Sequence, residues 1–251
     1  MVKNLKKVNV LGIDFLPTTN REFRQALIND NVMHKSRFVV TANPEIVLAA
    51  RADKHYADVI SQADYVTADG IGIVIGAKIL GQPLPERITG YDTMVALLKY
   101  ANRTQKKVYL LGAKPEVLEK VKEQLALHYP NVIIAGAHDG YFSADEEDSI
   151  AADIQQSQPD FVFAALGFPK QEYFIAKYKD KANAIWMGVG GSFDVLSGTV
   201  KRAPEFWQNH HIEWLYRLLK EPTRFKRMLA LPRYLVLVCR EKVRRSRSAQ
   251  K

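Results

Sequence analysis

Up to residue 200, short apolar runs rich in Val, Ile and Phe alternate with stretches where apolar residues recur every three or four positions. The runs predict strands at Val8–Ile13, Phe38–Thr41, Tyr65–Ala68, Val108–Leu111, Val132–Ala135, Phe161–Leu166 and Ile185–Gly188. Pro115–His128 shows the helical rhythm clearly, with Val117, Leu118, Val121, Leu125 and His128 on one face. Apolar strands separated by helices predict an α/β fold, a mostly parallel, Rossmann-like sheet with helices on both faces. Gly, Pro or Asn follows most strands, at Asn43-Pro44, Gly70, Gly112, Gly167 and Gly188. Ligands of such sheets sit beyond the carboxyl ends of the strands, so these turns converge on one predicted site.

The alternation stops near Lys201, and Arg202-Ala203-Pro204 reads as a hinge with Pro204 opening a helix. The division expected is an α/β body over residues 1–200 and a helical appendage over 201–251. Charge follows the same boundary. The appendage carries 14 Lys/Arg against 4 Glu, whereas the body carries 22 basic against 23 acidic residues, so the net charge of +9 is local. Trp207, Trp214, Leu218-Leu219 and Tyr234–Val238 are interleaved with that charge. A basic amphipathic segment of this kind suits an anionic membrane surface or a polyanion.

Met228–Cys239 is too short, and too interrupted by Pro232 and Arg233, to cross a bilayer, but it can lie on one. The final Arg244-Arg245-Ser246-Arg247 reads as membrane electrostatics or disorder. A nucleic-acid-binding protein is the remote alternative, and it requires aromatics available for stacking. Trp207 and Trp214 lie seven residues apart, as on one buried helix face, so no nucleic acid is expected as a partner. The N-terminus leads into a strand pattern rather than an apolar leader, and the single Cys239 excludes an internal disulfide. A cytoplasmic protein, peripheral on the inner face of the membrane, is expected.

Four polar clusters follow predicted strands. In Thr41-Ala42-Asn43-Pro44-Glu45 the Thr and Asn side chains can face the crevice, and Asn43 is equally suited to cap a helix opened by Pro44. In Thr67-Ala68-Asp69-Gly70-Ile71-Gly72 a carboxylate ends a strand beside glycines that leave room for a ligand, with an N-cap as the plainer reading. Arg87 follows the stiff Gln82-Pro83-Leu84-Pro85 loop, which can present a planar cation to phosphate, with a solvated surface arginine as the plainer reading. Gly167-Phe168-Pro169-Lys170-Gln171-Glu172 shapes a loop at a helix N-terminus that favours anions, with an ordinary strand-to-helix turn as the alternative. The Gly188–Asp194 turn adds backbone amides and an acid, but neither it nor the lone Gly112 forms a dinucleotide fingerprint. No Asp-x-Asp pair is present and His210-His211 are adjacent, so no metal and no cofactor are expected.

In their order and spacing these segments resemble the WecG/TagA/CpsF family of glycosyltransferases over nearly the whole chain, and the TagA/TarA teichoic acid branch most closely. The motifs are Val40–Glu45, Ala68-Asp69-Gly70, Arg87 with Gly90, Asp139-Gly140-Tyr141-Phe142, Gly167–Glu172, Gly188–Gly191 and Lys201–Pro204. The resemblance implies inverting transfer of N-acetylmannosamine from UDP-N-acetyl-D-mannosamine to the 4-hydroxyl of N-acetylglucosaminyl diphospho-undecaprenol, giving the β-1,4 disaccharide of the teichoic acid linkage unit. It implies Asp69 as general base, Thr41, Asn43 and Gln171 as orienting residues, and Arg87 as a diphosphate contact. On the donor side the candidates are Gly112, Tyr141, Gly167, Phe168, Pro169, Lys170, Gly190, Gly191 and Asp194. Arg217, Arg224 and Arg227 match residues that hold the acceptor diphosphate. The partners implied are the UDP-sugar, the undecaprenyl-diphosphate-linked acceptor and the anionic membrane surface, with self-association left open. Transfer of N-acetylmannosaminuronic acid or glucose is the alternative within the family.

Overall fold

A computed structural model of the protein describes residues 6–204, 206–207, 215–216 and 229–248. β1 (Val8–Val10) and β2 (Ile13–Phe15) form an antiparallel hairpin, where the apolar pattern predicts one strand of the main sheet. The reason lies in the turn: Leu11 and Gly12 both have positive φ, 54° and 98°, as a two-residue type I′ hairpin requires.

The main sheet comprises β3 (Arg37–Ala42), β4 (Tyr65–Ala68), β5 (Lys107–Gly112), β6 (Ile133–His138), β7 (Phe161–Ala165) and β8 (Ile185–Gly188). Their order is β4-β3-β8-β7-β5-β6, and every pairing is parallel. β3, β4, β5, β7 and β8 fall where the apolar runs predict. β6 continues past the expected end at Ala135, because it is a half-exposed edge strand whose last residues, Gly136 and His138, need not be apolar.

The helices whose bounds lie among the described residues include α1 (Asn20–Val32), α2 (Pro44–Ala52), α3 (Lys54–Ser61), α4 (Ile71–Ile79), α5 (Gly90–Thr104), α6 (Pro115–His128), α7 (Glu147–Ser157), α8 (Lys170–Tyr178), α9 (Ser192–Leu196) and a C-terminal helix, Ala230–Ser248. Two buried cores sandwich the sheet. Val47, Tyr56, Ile73, Ile154 and Ile175 lie in one, and Phe23, Leu98, Val121 and Phe193 in the other. β8 shows the alternation that feeds both: Trp186 enters the first core, Ile185 and Met187 the second. Thus α2 after β3 and α8 after β7 cover one face, while α9 after the intervening β8 covers the other. Connections that leave neighbouring strands toward opposite faces open a crevice at the strand ends, where the candidate residues lie.

The C-terminal helix packs on α2 and α4, with Tyr234 and Val238 fully buried in the body's own core. Gly72 and Gly76, one turn apart on α4, permit the approach. A Cβ at Gly72 would lie 2.7 Å from Leu231 Cδ1, and one at Gly76 only 2.1 Å from Tyr234 Oη. Arg244-Arg245-Ser246-Arg247, expected as membrane electrostatics or disorder, belongs to this helix, and Arg244 and Arg245 both bond Glu241 at 3.0 Å. No helix among the described residues is long and apolar enough to cross a membrane.

Candidate active site

The sheet order distributes the candidate residues along one edge: Asp69 after β4, Thr41 and Asn43 at β3, the Gly188–Asp194 turn after β8, Gly167–Gln171 after β7, Gly112 at β5 and Tyr141 after β6. Neighbouring parallel strands lie about 4.8 Å apart, so Asp69 and the glycine turn are roughly 10 Å apart across the sheet.

At the β3 and β4 ends the chain is laced tightly. Asp69 N–H donates to Ala42 O at 2.9 Å, and Ile88 N–H donates to Ala68 O at 2.9 Å. The second bond pins the proline loop against β4 and starts α5 directly over the site, with Thr89 as its N-cap. Gly90 N–H then donates to Asp69 Oδ2 at 3.2 Å. A Cβ on Gly90 would stand 2.9 Å from Thr41 Oγ1 and 3.8 Å from Asp69 Oδ2, so hydroxyl, carboxylate and helix N-terminus meet at one point. Asp69 does not cap the helix that follows it: Gly70, with φ of 100°, is the N-cap of α4, and no side chain bonds there. The half-buried carboxylate faces the first turn of α5, whose partial positive charge favours an anion.

Asn43 does cap α2, its Oδ1 accepting from Ile46 N–H at 3.0 Å. Arg87 is half-buried, and its carbonyl accepts from Asn20 Nδ2 at 3.0 Å, tying the arginine loop to the start of α1.

Across the crevice, Ala113 N–H donates to Ala165 O at 3.0 Å and Gly140 N–H to Ala113 O at 2.8 Å, which joins the loops after β5, β6 and β7. Gly112, with φ of 114°, has no room for a side chain: a Cβ would lie 2.5 Å from Ala165 O. Lys170 spans the same loops, with Nζ 3.2 Å from Gly140 O and 3.8 Å from the centre of the Phe142 ring. Gly167, Phe168 and Pro169 form the turn into α8, and Tyr141, after β6, is 70% exposed. Gln171 is buried, its Oε1 accepting from Gly190 N–H at 3.0 Å. Gly191 and Asp194 lie at the start of α9, where a Cβ on Gly191 would meet Asp194 Oδ2 at 3.4 Å.

Two features escape a reading of the sequence. Arg202, legible as part of a hinge and of the Lys201–Pro204 motif but not by its partner, pairs with Asp92 at 2.7 Å and covers the Tyr91 ring at 4.8 Å, fastening the start of the appendage to the first turn of α5. Glu172, the last residue of the Gly167–Glu172 motif, is 1% exposed, and burial lifts its proton affinity above the ordinary carboxylate range. Arg217, Arg224 and Arg227 lie outside the described residues. Among the described residues no group of three or more His, Cys, Asp or Glu is arranged to hold a metal ion.

The family described as "Glycosyl transferase WecG/TagA/CpsF family" matches residues 8–248. Similar proteins bear the name N-acetylglucosaminyldiphosphoundecaprenol N-acetyl-beta-D-mannosaminyltransferase. One from Bacillus spizizenii is 46% identical over 206 residues, 82% of this chain and 79% of that protein. One from Bacillus subtilis is 43% identical over 204 residues, 81% of this chain and 79% of the other. One from Staphylococcus aureus strain MW2 is 38% identical over 242 residues, 95% and 94% of the two chains.

Proposed function

This chain belongs to the WecG/TagA/CpsF family of glycosyl transferases, and from that premise we propose that it transfers N-acetylmannosamine from UDP-N-acetyl-D-mannosamine to the 4-hydroxyl of N-acetylglucosaminyl diphospho-undecaprenol. The product is the β-1,4 disaccharide of the wall teichoic acid linkage unit. The meeting of Thr41, Asp69 and the α5 N-terminus at the strand ends carries this reading.

Asp69 takes the proton from the acceptor hydroxyl, a step for which a positioned base contributes about 10²- to 10⁴-fold. The acceptor oxygen bonds to the anomeric carbon as the bond to the diphosphate breaks, and UDP leaves with the electron pair. One such displacement turns an α-linked donor into a β-linked product. The Gly90 amide fixes the plane of the carboxylate, and Thr41 and Asn43 orient the sugars beside it. Arg87 and the Gly190-Gly191 turn, whose Gly190 N–H is held by Gln171, meet the departing diphosphate, with the guanidinium as a permanently charged planar donor. The loops bearing Gly112, Tyr141 and Gly167–Lys170, with Asp194, make the uridine side.

The lipid acceptor places the protein on an anionic membrane surface. A groove between α2 and the C-terminal helix supports this, since Arg51, Arg233 and Arg240 line it together with Leu48, Val236 and Leu237. Each arginine near such a surface contributes about 1 kcal/mol. Arg217, Arg224 and Arg227 are assigned to the acceptor diphosphate. The test offers UDP-N-acetylmannosamine, its uronate and UDP-glucose separately, with the lipid-linked N-acetylglucosamine acceptor and EDTA present. Transfer from UDP-N-acetylmannosamine alone is expected; transfer only from another donor refutes the substrate assignment.

A further inference from the structure

Behind the glycine turn runs a buried chain of polar groups in which Gln171 is joined by Glu172 and Tyr56, two residues with no part in the displacement itself. Tyr56 of α3, 2% exposed, donates its hydroxyl to Glu172 Oε2 at 3.1 Å. Gln171 Nε2 donates to Glu172 Oε1 at 2.7 Å, and Gln171 Oε1 accepts from Gly190 N–H at 3.0 Å. The chain thus joins α3, the first turn of α8 and the turn after β8. No Lys or Arg among the described residues pairs with Glu172. A carboxyl buried without a cation is costly, and hydrogen bonds must offset that cost.

The chemistry of these contacts is directional. A glutamine side chain accepts only at its oxygen and donates only at its nitrogen. The Gly190 N–H needs an acceptor and the Glu172 oxygen needs a donor, so one flip of the Gln171 amide satisfies both and the other satisfies neither. The amide is also wedged, because a Cβ on Gly188 would lie 2.7 Å from its Nε2. Gly188 therefore leaves just enough space for Gln171 to reach the turn.

We infer that Glu172 is a positioning residue for the donor site: it sets the flip and reach of Gln171, which holds the Gly188–Gly191 turn in the shape that receives a nucleoside diphosphate. This rests on the reading of that turn as the donor's diphosphate contact. Shape rather than charge does the work. In either protonation state Glu172 Oε1 remains an acceptor for Gln171, and when the acid is protonated its hydrogen on Oε2 is donated to Tyr56 Oη, whose own hydrogen then turns away from the carboxyl. A glutamine at position 172 can do the same, with its carbonyl toward Gln171 and its amino group toward Tyr56. A leucine offers no acceptor, leaves Gln171 Nε2 without its bond and removes the reason for one flip over the other.

The test is UDP affinity by titration calorimetry, together with KM for donor and acceptor, measured on the full chain. Losing the acceptor corresponds to about tenfold. Glu172→Leu is expected to weaken UDP binding and raise the donor KM by about that factor, with the acceptor KM within about twofold. Glu172→Gln is expected to stay within about threefold of the parent, and Tyr56→Phe to show a smaller, several-fold loss of UDP affinity. A folded Glu172→Leu with unchanged donor KM overturns the inference, as does a Glu172→Gln variant as damaged as the leucine. If Glu172→Leu does not fold, the other two variants decide, and unchanged UDP affinity in Tyr56→Phe overturns it. A parent protein that fails to bind UDP refutes the site reading instead.

Discussion

Gly90 N–H donates to Asp69 Oδ2 at 3.2 Å across 21 residues of chain, so the carboxylate that ends β4 is held by the helix after next rather than by the helix it precedes. The arrangement exists because Ile88 bonds Ala68 O, bringing the start of α5 over the strand end. It also explains why position 90 is glycine, since a side chain there would intrude on Thr41 Oγ1.

Asp69→Asn retains an oxygen that can accept the Gly90 N–H and removes the proton acceptor. The expected result is a fall in kcat of about 10²- to 10⁴-fold with the melting temperature nearly unchanged. Single-turnover transfer measured beside thermal unfolding checks it. Turnover within a few-fold of the parent would place the base elsewhere.

Arg202→Gln should separate stability from acceptor use. Its ion pair with Asp92 is partly exposed, and such pairs contribute little to folding. The same pair fastens the start of the appendage beside the helix turn that holds Asp69. The acceptor KM is expected to rise several-fold while UDP affinity and thermal stability stay close to those of the parent. Equal loss of both affinities would show a general disturbance of the site.

The strands were legible wherever burial on both faces made them uniformly apolar, as at Phe161–Ala165, and the strand-end rule then gathered distant motifs into one site. The hairpin was hidden because Leu11 supplies a left-handed residue that composition does not betray. What Gln171 faces was hidden too, since a motif specifies residue types and not which way an amide turns. The C-terminal helix read as basic and amphipathic, but its docking depends on an inter-helix fit between Gly72, Gly76 and Tyr234, which no periodicity within one segment reports.

Stability toward acid should depend on Asp160. Burial raises its proton affinity, but the Lys107 N–H, the Lys106 ammonium and the Asn31 amide outweigh that and hold the carboxyl below the ordinary carboxylate range. A depressed acid stabilises the fold above its unfolded value, near 3.9, and this contribution is lost as pH falls through the lower folded value. Melting temperatures against pH should therefore drop below about pH 4 in the parent, and Asp160→Asn should lower stability at pH 7 and flatten that limb. Glu172 has the opposite sign: its raised affinity for a proton costs stability as pH climbs above about 4.3. An acid limb identical in Asp160→Asn and the parent would refute the assignment.

The docking of the C-terminal helix can be tested at one contact from both sides. Tyr234 is fully buried, yet its hydroxyl has no hydrogen-bond partner among the described residues, and burial pushes its proton affinity up. A buried hydroxyl left unpaired costs about 1 to 3 kcal/mol. Tyr234→Phe deletes that oxygen and keeps the ring, so it is expected to raise stability by about 1 kcal/mol and leave transfer intact. Gly76→Ala works against the same ring from the α4 side, because its Cβ would stand 2.1 Å from Tyr234 Oη and 2.9 Å from Cζ. Overpacking of this kind costs about 1 to 3 kcal/mol, and the neighbour that can yield most easily is the appended helix. Gly76→Ala should therefore expose the α4 face, hasten proteolysis near residue 230 and reduce transfer to the lipid-linked acceptor. Combined with Tyr234→Phe, which removes the closest atom, part of the loss should be recovered. Additive effects in the double variant, or a Gly76→Ala protein as protease-resistant as the parent, would show that the helix is not held at this contact.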